Sequence, residues 1–575
     1  MRNPMHLRLL TLAIAALFAA CSSSNGAQPT ATTDTGIGLA SETAATGSTP
    51  ETSTTGSGTG DDTATTTGDG TGGTGDGTGS TTGAIDNGFR PNKDGFGFQN
   101  YTNEAKPTNL TAEDVRSIFG DGVCASLAGG ACTLTPAASQ WATTSSNDMN
   151  GGHCFGMAHL ASAVFMGKVT VDKLGGAATD TTNSLKLENN TALQRAIGTA
   201  FVMQGLTPAI NTAKMAMTPG DLVTFLSTEL KTKTETYTIA IFQTDATGNK
   251  SGGHAVTPYA IKEDAGKTQI MVWDNNFPNE ERSIEVDLTA KTWKYSAAAN
   301  PNDPASLYVG DDKTLSIGVY PVTPTLGVQE CPFCKNVGAP GDVTVVANGA
   351  GNLQLADGTG NTVDETQNSF PGAVVTERTS ADLFKDDPEP IYRVPGTTDL
   401  TITIDGTKLT AASPTNVKAF GPGWVLGVED INLAPGEKDT LVIGKGGDTL
   451  TYTTASMETP GIVFGIQTAG ADYEFTFQVV GDANGITVTL DIDLVTGKLS
   501  LRIQNEGATV YGIVMRRIDD KGESEFSHAN GSEAGGDTVI FDFDDWAGQG
   551  TPLSIEVDKG SDGSVDTTET ATDDK

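Results

Sequence analysis

At 575 residues the chain is too long for one hydrophobic core and implies two or three domains. Its 35 Lys and Arg against 71 Asp and Glu leave a net charge of −36, which repels nucleic acid and anionic lipid surfaces and argues against both as partners. With 70 Gly and only 37% hydrophobic residues, part of the chain cannot build a core at all.

The N-terminus is a targeting segment by its pattern. Arg2 and Arg8 flank the start of an apolar run, Leu9 to Ala20, that is too short to span a bilayer as a permanent helix. Leu17-Phe18-Ala19-Ala20-Cys21 ends that run and resembles the bacterial lipobox. The resemblance implies a signal peptide over 1–21, cleavage before Cys21 and lipid attachment to its thiol. The protein would then be a lipoprotein of the cell envelope, touching the bilayer only through this anchor. Ser22 rather than Asp after the cysteine favours the outer membrane or cell surface; an ordinary cleaved signal peptide is the alternative. Residues 22–86 are Ser, Thr, Gly, Ala and Asp with hardly an aliphatic, and read as a flexible, weakly anionic tether without chemistry of its own.

Order is expected from about Phe89, in a domain over 87–330. Thr111-Ala112-Glu113-Asp114 is a capping-box-like helix start, continued by Val115, Ile118 and Phe119. Cys124 and Cys132 lie eight positions apart across Gly129-Gly130; in an exported protein this pair reads as a small structural disulfide, since no two further metal ligands stand nearby. Then Asn150-Gly151-Gly152-His153-Cys154-Phe155-Gly156 breaks the chain and opens an apolar helix, with Cys154 in its first turn. A thiol there lies near the positive end of the helix dipole, where the thiolate form is favoured. The bland alternative is a small residue packed in a core. His153 should point to another side of the helix, and His159 reads as a packed or surface helix residue. Leu187 to Gln204 and the segment opened by Thr218-Pro219 read as two further amphipathic helices.

Strands follow: Tyr237 to Phe242, then Gly253-His254-Ala255-Val256 running to about Ile261, a turn at Glu263-Asp264-Ala265-Gly266, and Thr268 to Trp273. A turn centred near Asp264 sets His254 opposite Asp274 and Val256 opposite Val272, on one face. Pro258 can bulge the strand, in which case Asn275 or Asn276 holds that place. A histidine oriented by a carboxylate or amide and offered to a helix-terminal thiol is the constellation that thiol catalysis requires.

Gly152-His153-Cys154-Phe155-Gly156-Met157, Gly253-His254-Ala255-Val256 and Val272-Trp273-Asp274-Asn275-Asn276 together resemble the papain-like cysteine peptidase superfamily, over roughly residues 90–325. The resemblance implies an α+β papain-like domain with Cys154, His254 and Asp274 as catalytic set. Its activity would be acyl transfer from a peptide or amide to water, or to an amine in a transglutaminase-like reaction, with no cofactor. Neither the Gln shortly before the cysteine nor the Ser-Cys-Trp pattern of papain is present. The oxyanion donor is therefore sought among Gln140, Asn147 and Asn150, beside the Cys154 backbone N–H.

Cys331-Pro332-Phe333-Cys334 lies among Pro and Gly residues in an expected linker over 331–345, and reads as a local disulfide, with redox or zinc chemistry as the alternative. From 346 to 575 runs such as Leu400-Thr401-Ile402-Thr403-Ile404 and Tyr473-Glu474-Phe475-Thr476-Phe477 alternate at period two. They imply one or two β-sandwich-like modules with an acidic tail. Asp558, Asp562, Asp566 and Glu569 occupy the first, fifth, ninth and twelfth places of a calcium-loop pattern whose third place is Gly; a solvated acidic tail is the competing reading. The expectation is thus a lipid-anchored thiol hydrolase or acyltransferase, against a non-catalytic surface binding protein and, third, a CxxC oxidoreductase. Nothing in the chain bears on oligomeric state.

Overall fold

The computed structural model describes residues 85–244, 250–297, 307–334, 336–379, 389–480, 485–505 and 507–574. The expected signal segment, Cys21 and the expected tether up to residue 84 lie outside them. Among the described residues no helix is long and apolar enough to cross a membrane. Order begins slightly earlier than the composition suggests. Strand β1 (Ile85–Asp86) pairs with the chain at Ile261 and Ala260, so these two residues belong to the fold and not to the tether.

Five helices of eight residues or more build the first half among the described residues. Helix α1 (Ala112–Phe119) is closed by a reciprocal capping box between Thr111 and Asp114, and Asp114 also receives Arg195 at 2.7 Å. Helix α2 (Pro136–Asn147) starts with Thr135 as cap and Pro at its first turn, where a missing N–H costs nothing. Helix α3 (Cys154–Phe165) is buried along almost its whole length, as a helix apolar on every side must be. Helix α4 (Thr191–Val202) crosses it closely: a Cβ on Gly156 would stand 2.2 Å from the Ile197 carbonyl oxygen, so only glycine admits the contact. Helix α5 (Pro219–Thr232) is capped by Thr218 and buries Leu222, Leu226 and Leu230.

An antiparallel sheet lies against these helices. Its strands are β2 (Tyr237–Thr244), β3 (Lys250–Asp264), β4 (Lys267–Trp273), β5 (Arg282–Asp287), β6 (Thr292–Ser296), β7 (Leu307–Asp311) and β8 (Ile317–Pro321), in the order β8-β2-β3-β4-β5-β6-β7, with β1 on β3. Helix α3 packs on it through Phe155 and Ala158 against Ala240, Phe242 and Ala255, and through Met157 and Leu160 against Tyr259 and Trp273.

The C-terminal part is all β. Among the described residues a nine-stranded and a ten-stranded antiparallel sheet enclose one core. Successive hairpins alternate between them: Ser413–Gly421 with Trp424–Leu433 in the first, Lys438–Ile443 with Thr449–Thr454 in the second, Gly461–Gln467 with Asp472–Val479 in the first again. The result is one continuous two-layer structure, because each hairpin extends a sheet rather than closing a module. The first sheet starts at strands β9 (Asp342–Asn348), β10 (Val374–Thr376) and β11 (Ile391–Pro395), ordered β10-β11-β9.

Residues 331–345 are not a linker. Cys331 and Cys334 are disulfide-bonded, as are Cys124 and Cys132. Phe333 between the first two is buried against Phe119, Trp141 and Phe420, and Asp342 already starts β9. A buried aromatic in a Pro- and Gly-rich stretch fixes what composition alone would leave loose. The described residues form one compact unit, and Val346, Phe420 and Val425 of the β region share a core with Val115 and Trp141.

Candidate thiol site

Cys154 is the first residue of α3 and follows Gly152, whose φ of 142° no side-chain-bearing residue readily adopts. Asn275 Nδ2 donates to the Cys154 carbonyl oxygen at 3.0 Å and to the Ala255 carbonyl oxygen at 3.1 Å. It thereby ties the start of the helix to the strand carrying the histidine. His254 lies on β3 opposite Ile241 of β2.

The hairpin turns at Ala265-Gly266, later than a turn centred on Asp264, with Asp264 opposite Lys267 and both turn residues at positive φ. Such a register alone would put His254 and Asp274 on opposite faces, since a one-residue slip flips every side chain. A bulge at Tyr259, beside the anticipated Pro258, corrects it: Ile261 faces Ile270 before the bulge, and Thr257 faces Trp273 after it. Asp274, just past the end of β4, then reaches His254. His254 Nε2 is 2.8 Å from Asp274 Oδ1, which also accepts from the Asn276 N–H at 2.8 Å. Oδ2 accepts a short hydrogen bond from the Tyr295 hydroxyl on β6.

Burial would lower the His254 pKa, but the Asp274 carboxylate and the Cys154 sulfur outweigh it and hold the imidazole well above its ordinary value. Burial would raise Asp274, and the charge and hydrogen bond of His254, with Tyr295 and the Asn276 N–H, bring it below the usual carboxylate range. The other ring nitrogen of His254, Nδ1, is buried without a hydrogen-bond partner, and the Cys154 sulfur is among the groups that raise the imidazole. Tyr308 on β7 lies near both Cys154 and Asp274, and its pKa is driven up by burial and by those charges. Cys154, His254, Asp274 and Asn275 are all 0% exposed.

Of the anticipated residues, the structure brings Cys154, His254 and Asp274 together. Asn275 is a tether between helix and strand, and Asn276 contributes its backbone N–H to Asp274. The three amides sought as oxyanion donors have other contacts. Gln140 Oε1 accepts from Lys418, Asn150 Oδ1 accepts from Asn103 at 2.7 Å, and Asn147 is exposed. The amide that does reach a carbonyl above the thiol is Gln204, just past α4 and 2% exposed. Its Nε2 donates to the Thr379 carbonyl oxygen at 3.4 Å, and the Cys154 thiol points to that same oxygen at 3.8 Å. Gln204, Tyr295 and Thr379 carry no local sequence signal, because each meets the site from a remote element.

The other two histidines near the thiol are packed. His153 contacts the Tyr101 carbonyl and Asn109, with its pKa brought down to about 4 by burial; His159 contacts Thr238 and Thr325, brought down to about 3. The calcium-loop carboxylates do not converge. Asp558 accepts the N–H groups of Asp562 and Gly563, Asp566 accepts that of Lys559, and Glu569 lies in the strand Thr567–Ala571. Short polar side chains capping their own hairpin satisfy the pattern without an ion. Among the described residues the one close carboxylate group is Glu437, Asp439 and Glu458 in the β region, with ligand atoms within 4.8 Å. The Tyr452 hydroxyl lies between Asp439 at 3.0 Å and Glu458 at 2.9 Å.

The chain matches no family model, no curated protein and no solved structure.

Proposed function

We propose that this protein is a thiol-dependent acyl-transfer enzyme of papain-like type, acting on peptide or amide bonds, with Cys154 as nucleophile, His254 as acid–base and Asp274 as the group that orients the imidazole. The observation that carries the reading is the buried His254–Asp274 pair, on a strand that the Asn275 amide ties at Ala255 to Cys154, the first residue of a helix. An ion pair taken out of water is costly to keep, and here the one free cysteine among the described residues is among the groups that act on its imidazole. In the reaction the Cys154 thiolate attacks the carbonyl carbon, and Gln204 Nε2 and the Cys154 backbone N–H stand as donors for the oxyanion. His254 then gives its proton to the leaving amine as the C–N bond breaks. Water, or a second amine, attacks the thioester, His254 takes the proton back, and the thiol is restored. The lipid anchor belongs to the same proposal, and sets this chemistry in the cell envelope.

The test is the rate of Cys154 alkylation by iodoacetamide as a function of pH, in the full chain and in His254→Ala. A thiolate held by an imidazolium keeps reacting below neutral pH. Loss of the ring should cut the rate about tenfold there and little in alkali. Equal pH profiles for the two proteins end the reading. A second reading, a non-catalytic surface binding protein, is favoured by one observation: Cys154 has no exposed surface.

A further inference from the structure

A residue of the β region, Thr379, brings its carbonyl oxygen to 3.8 Å from the Cys154 sulfur. Strand β10 ends at Thr376, and the chain continues as Glu377-Arg378-Thr379 into the site. Thr379 is 1% exposed. Its backbone N–H donates to Gln204 Oε1 at 2.8 Å, its hydroxyl donates to the same oxygen at 2.9 Å, and its carbonyl oxygen accepts from Gln204 Nε2. One primary amide therefore reads both the N–H and the C=O of a single residue, as a neighbouring strand would, while that carbonyl also faces Cys154 Sγ.

The strap is anchored on both sides. Arg378, 5% exposed, pairs with Asp148 at the end of α2 and donates to the carbonyl oxygens of Ala347 and Glu389. The Arg378 carbonyl oxygen would lie 3.0 Å from a Cβ at Gly253, so the residue before the catalytic histidine leaves room for a backbone to pass. A cleft lined by Ser145, Phe201, Gln204, Leu206, Arg378 and Arg393 opens at this junction and stops short of Cys154. Thr379 touches both Gln204 and the sulfur.

We propose that the segment Thr376–Thr379 is an internal peptide ligand of the thiol site, occupying the acyl-side subsite of an extended peptide substrate, with Gln204 as the residue that reads the peptide backbone there. The inference rests on the thiol-site reading above and adds two things to it. It names the substrate class, a chain in extended form presenting a small hydroxylated residue at the reacting carbonyl. It also names a control: the site is closed while the strap is seated and opens when the β region releases it. Main-chain hydrogen bonds would supply affinity, as in other recognition of extended peptides, so an external peptide competes with the strap on equal chemical terms. Effective concentration favours the tethered segment until it is displaced.

The test is iodoacetamide alkylation of Cys154 in the full chain, mapped by peptide mass spectrometry, with Thr379→Gly and Arg378→Ala as opening variants. Arg378→Ala leaves Asp148 without its cation and can disturb folding; Thr379→Gly removes the hydroxyethyl side chain, with its hydrogen bond to Gln204, and serves as the second variant. At unchanged circular dichroism, a rate at least about tenfold above the parent chain in either variant is expected. Parent-like rates in both overturn the proposal. Adding the peptide Val-Val-Thr-Glu-Arg-Thr, the sequence of residues 374–379, to an opened variant should restore protection where a scrambled peptide does not; failure to protect overturns the subsite. His254→Ala combined with Thr379→Gly separates the two readings. Fast alkylation that ignores pH and the imidazole leaves the strap standing and ends the catalytic assignment, whereas slow alkylation in every opened variant ends the strap.

Discussion

The two halves of this chain bury different kinds of polar group: carboxylates such as Asp439, Glu458 and Glu474, with Lys418, in the β region, and histidines and amides in the helical half. The β region fills the space between its sheets with aliphatic and aromatic side chains such as Leu426, Phe464, Phe475, Leu490 and Phe541, nearly all at zero exposure. The helical half with its single sheet puts His153, His159, His254, Asp274, Asn275, Thr238 and Thr257 inside as well. Buried polar groups cost free energy unless each finds a partner, and here most do, through contacts that cross from helix to strand to loop. The difference is one of arrangement: the β region sets its buried carboxylates beside a large apolar core, while the helical half gathers imidazoles, amides and a carboxylate around one thiol.

That contrast can be broken by mutation. Phe475→Ala empties a site against Phe543, 5.3 Å away between ring centres, and should cost about 4 kcal/mol in urea unfolding, with Cys154 alkylation of the folded protein unchanged. Asp274→Ala should cost about 3 kcal/mol, because it leaves a buried imidazole and the Tyr295 hydroxyl without their acceptor. It should also abolish the pH dependence of alkylation. If either mutation instead produced the other's signature, the division of labour drawn here would fail.

Titration sharpens the same comparison. Burial, then the charge of Asp439, pushes Glu458 up to about 7, and burial pushes Asp439 up to about 6. The folded β region therefore holds protons that the unfolded chain releases. Its stability is fullest below the ordinary carboxylate range and falls as pH rises through about 7. The melting temperature of this region should be higher near about pH 5 than near about pH 8, and Glu458→Gln should flatten the slope. In the other half the sign differs by group. The raised His254 contributes stability that is present below the ordinary imidazole value and lost as pH climbs through its folded value, in alkali. The lowered Asp274 contributes above the ordinary carboxylate value and loses it in acid. Separate windows near neutral pH, from the β region, in alkali, from His254, and in acid, from Asp274, read by fluorescence, are the expected outcome. The smallest effect is Thr218→Ala, which removes the cap donated to by the Asp221 N–H at 3.1 Å and should cost about 1 kcal/mol.

Much of the thiol site is legible in the chain. Gly152 before Cys154 marks a helix start, Gly253-His254 marks a strand, and Trp273-Asp274 marks its successor's end; these are local patterns with a period of their own. The register joining His254 to Asp274 is less so. A turn one residue later than the pattern suggests would have separated them, and the bulge at Tyr259 restores their shared face. Composition also misplaces two boundaries, at Ile85 and at the junction holding Phe333, because a single aliphatic or aromatic side chain decides whether a Gly-rich stretch docks.

Local pattern was enough to give the kinds of element and their order: an acidic chain, a helix opening on a thiol, a histidine strand, then alternating strands to the end. Helix caps, periodicity and turns act over a few residues, so they can be read in one dimension. That Tyr295 holds Asp274, and that Gln204 and the Cys154 thiol meet at the Thr379 carbonyl, came from the packing of distant elements. Those contacts join residues 21, 175 and 225 positions apart. No local pattern encodes such a meeting, which depends on how two whole regions bury their surfaces against each other.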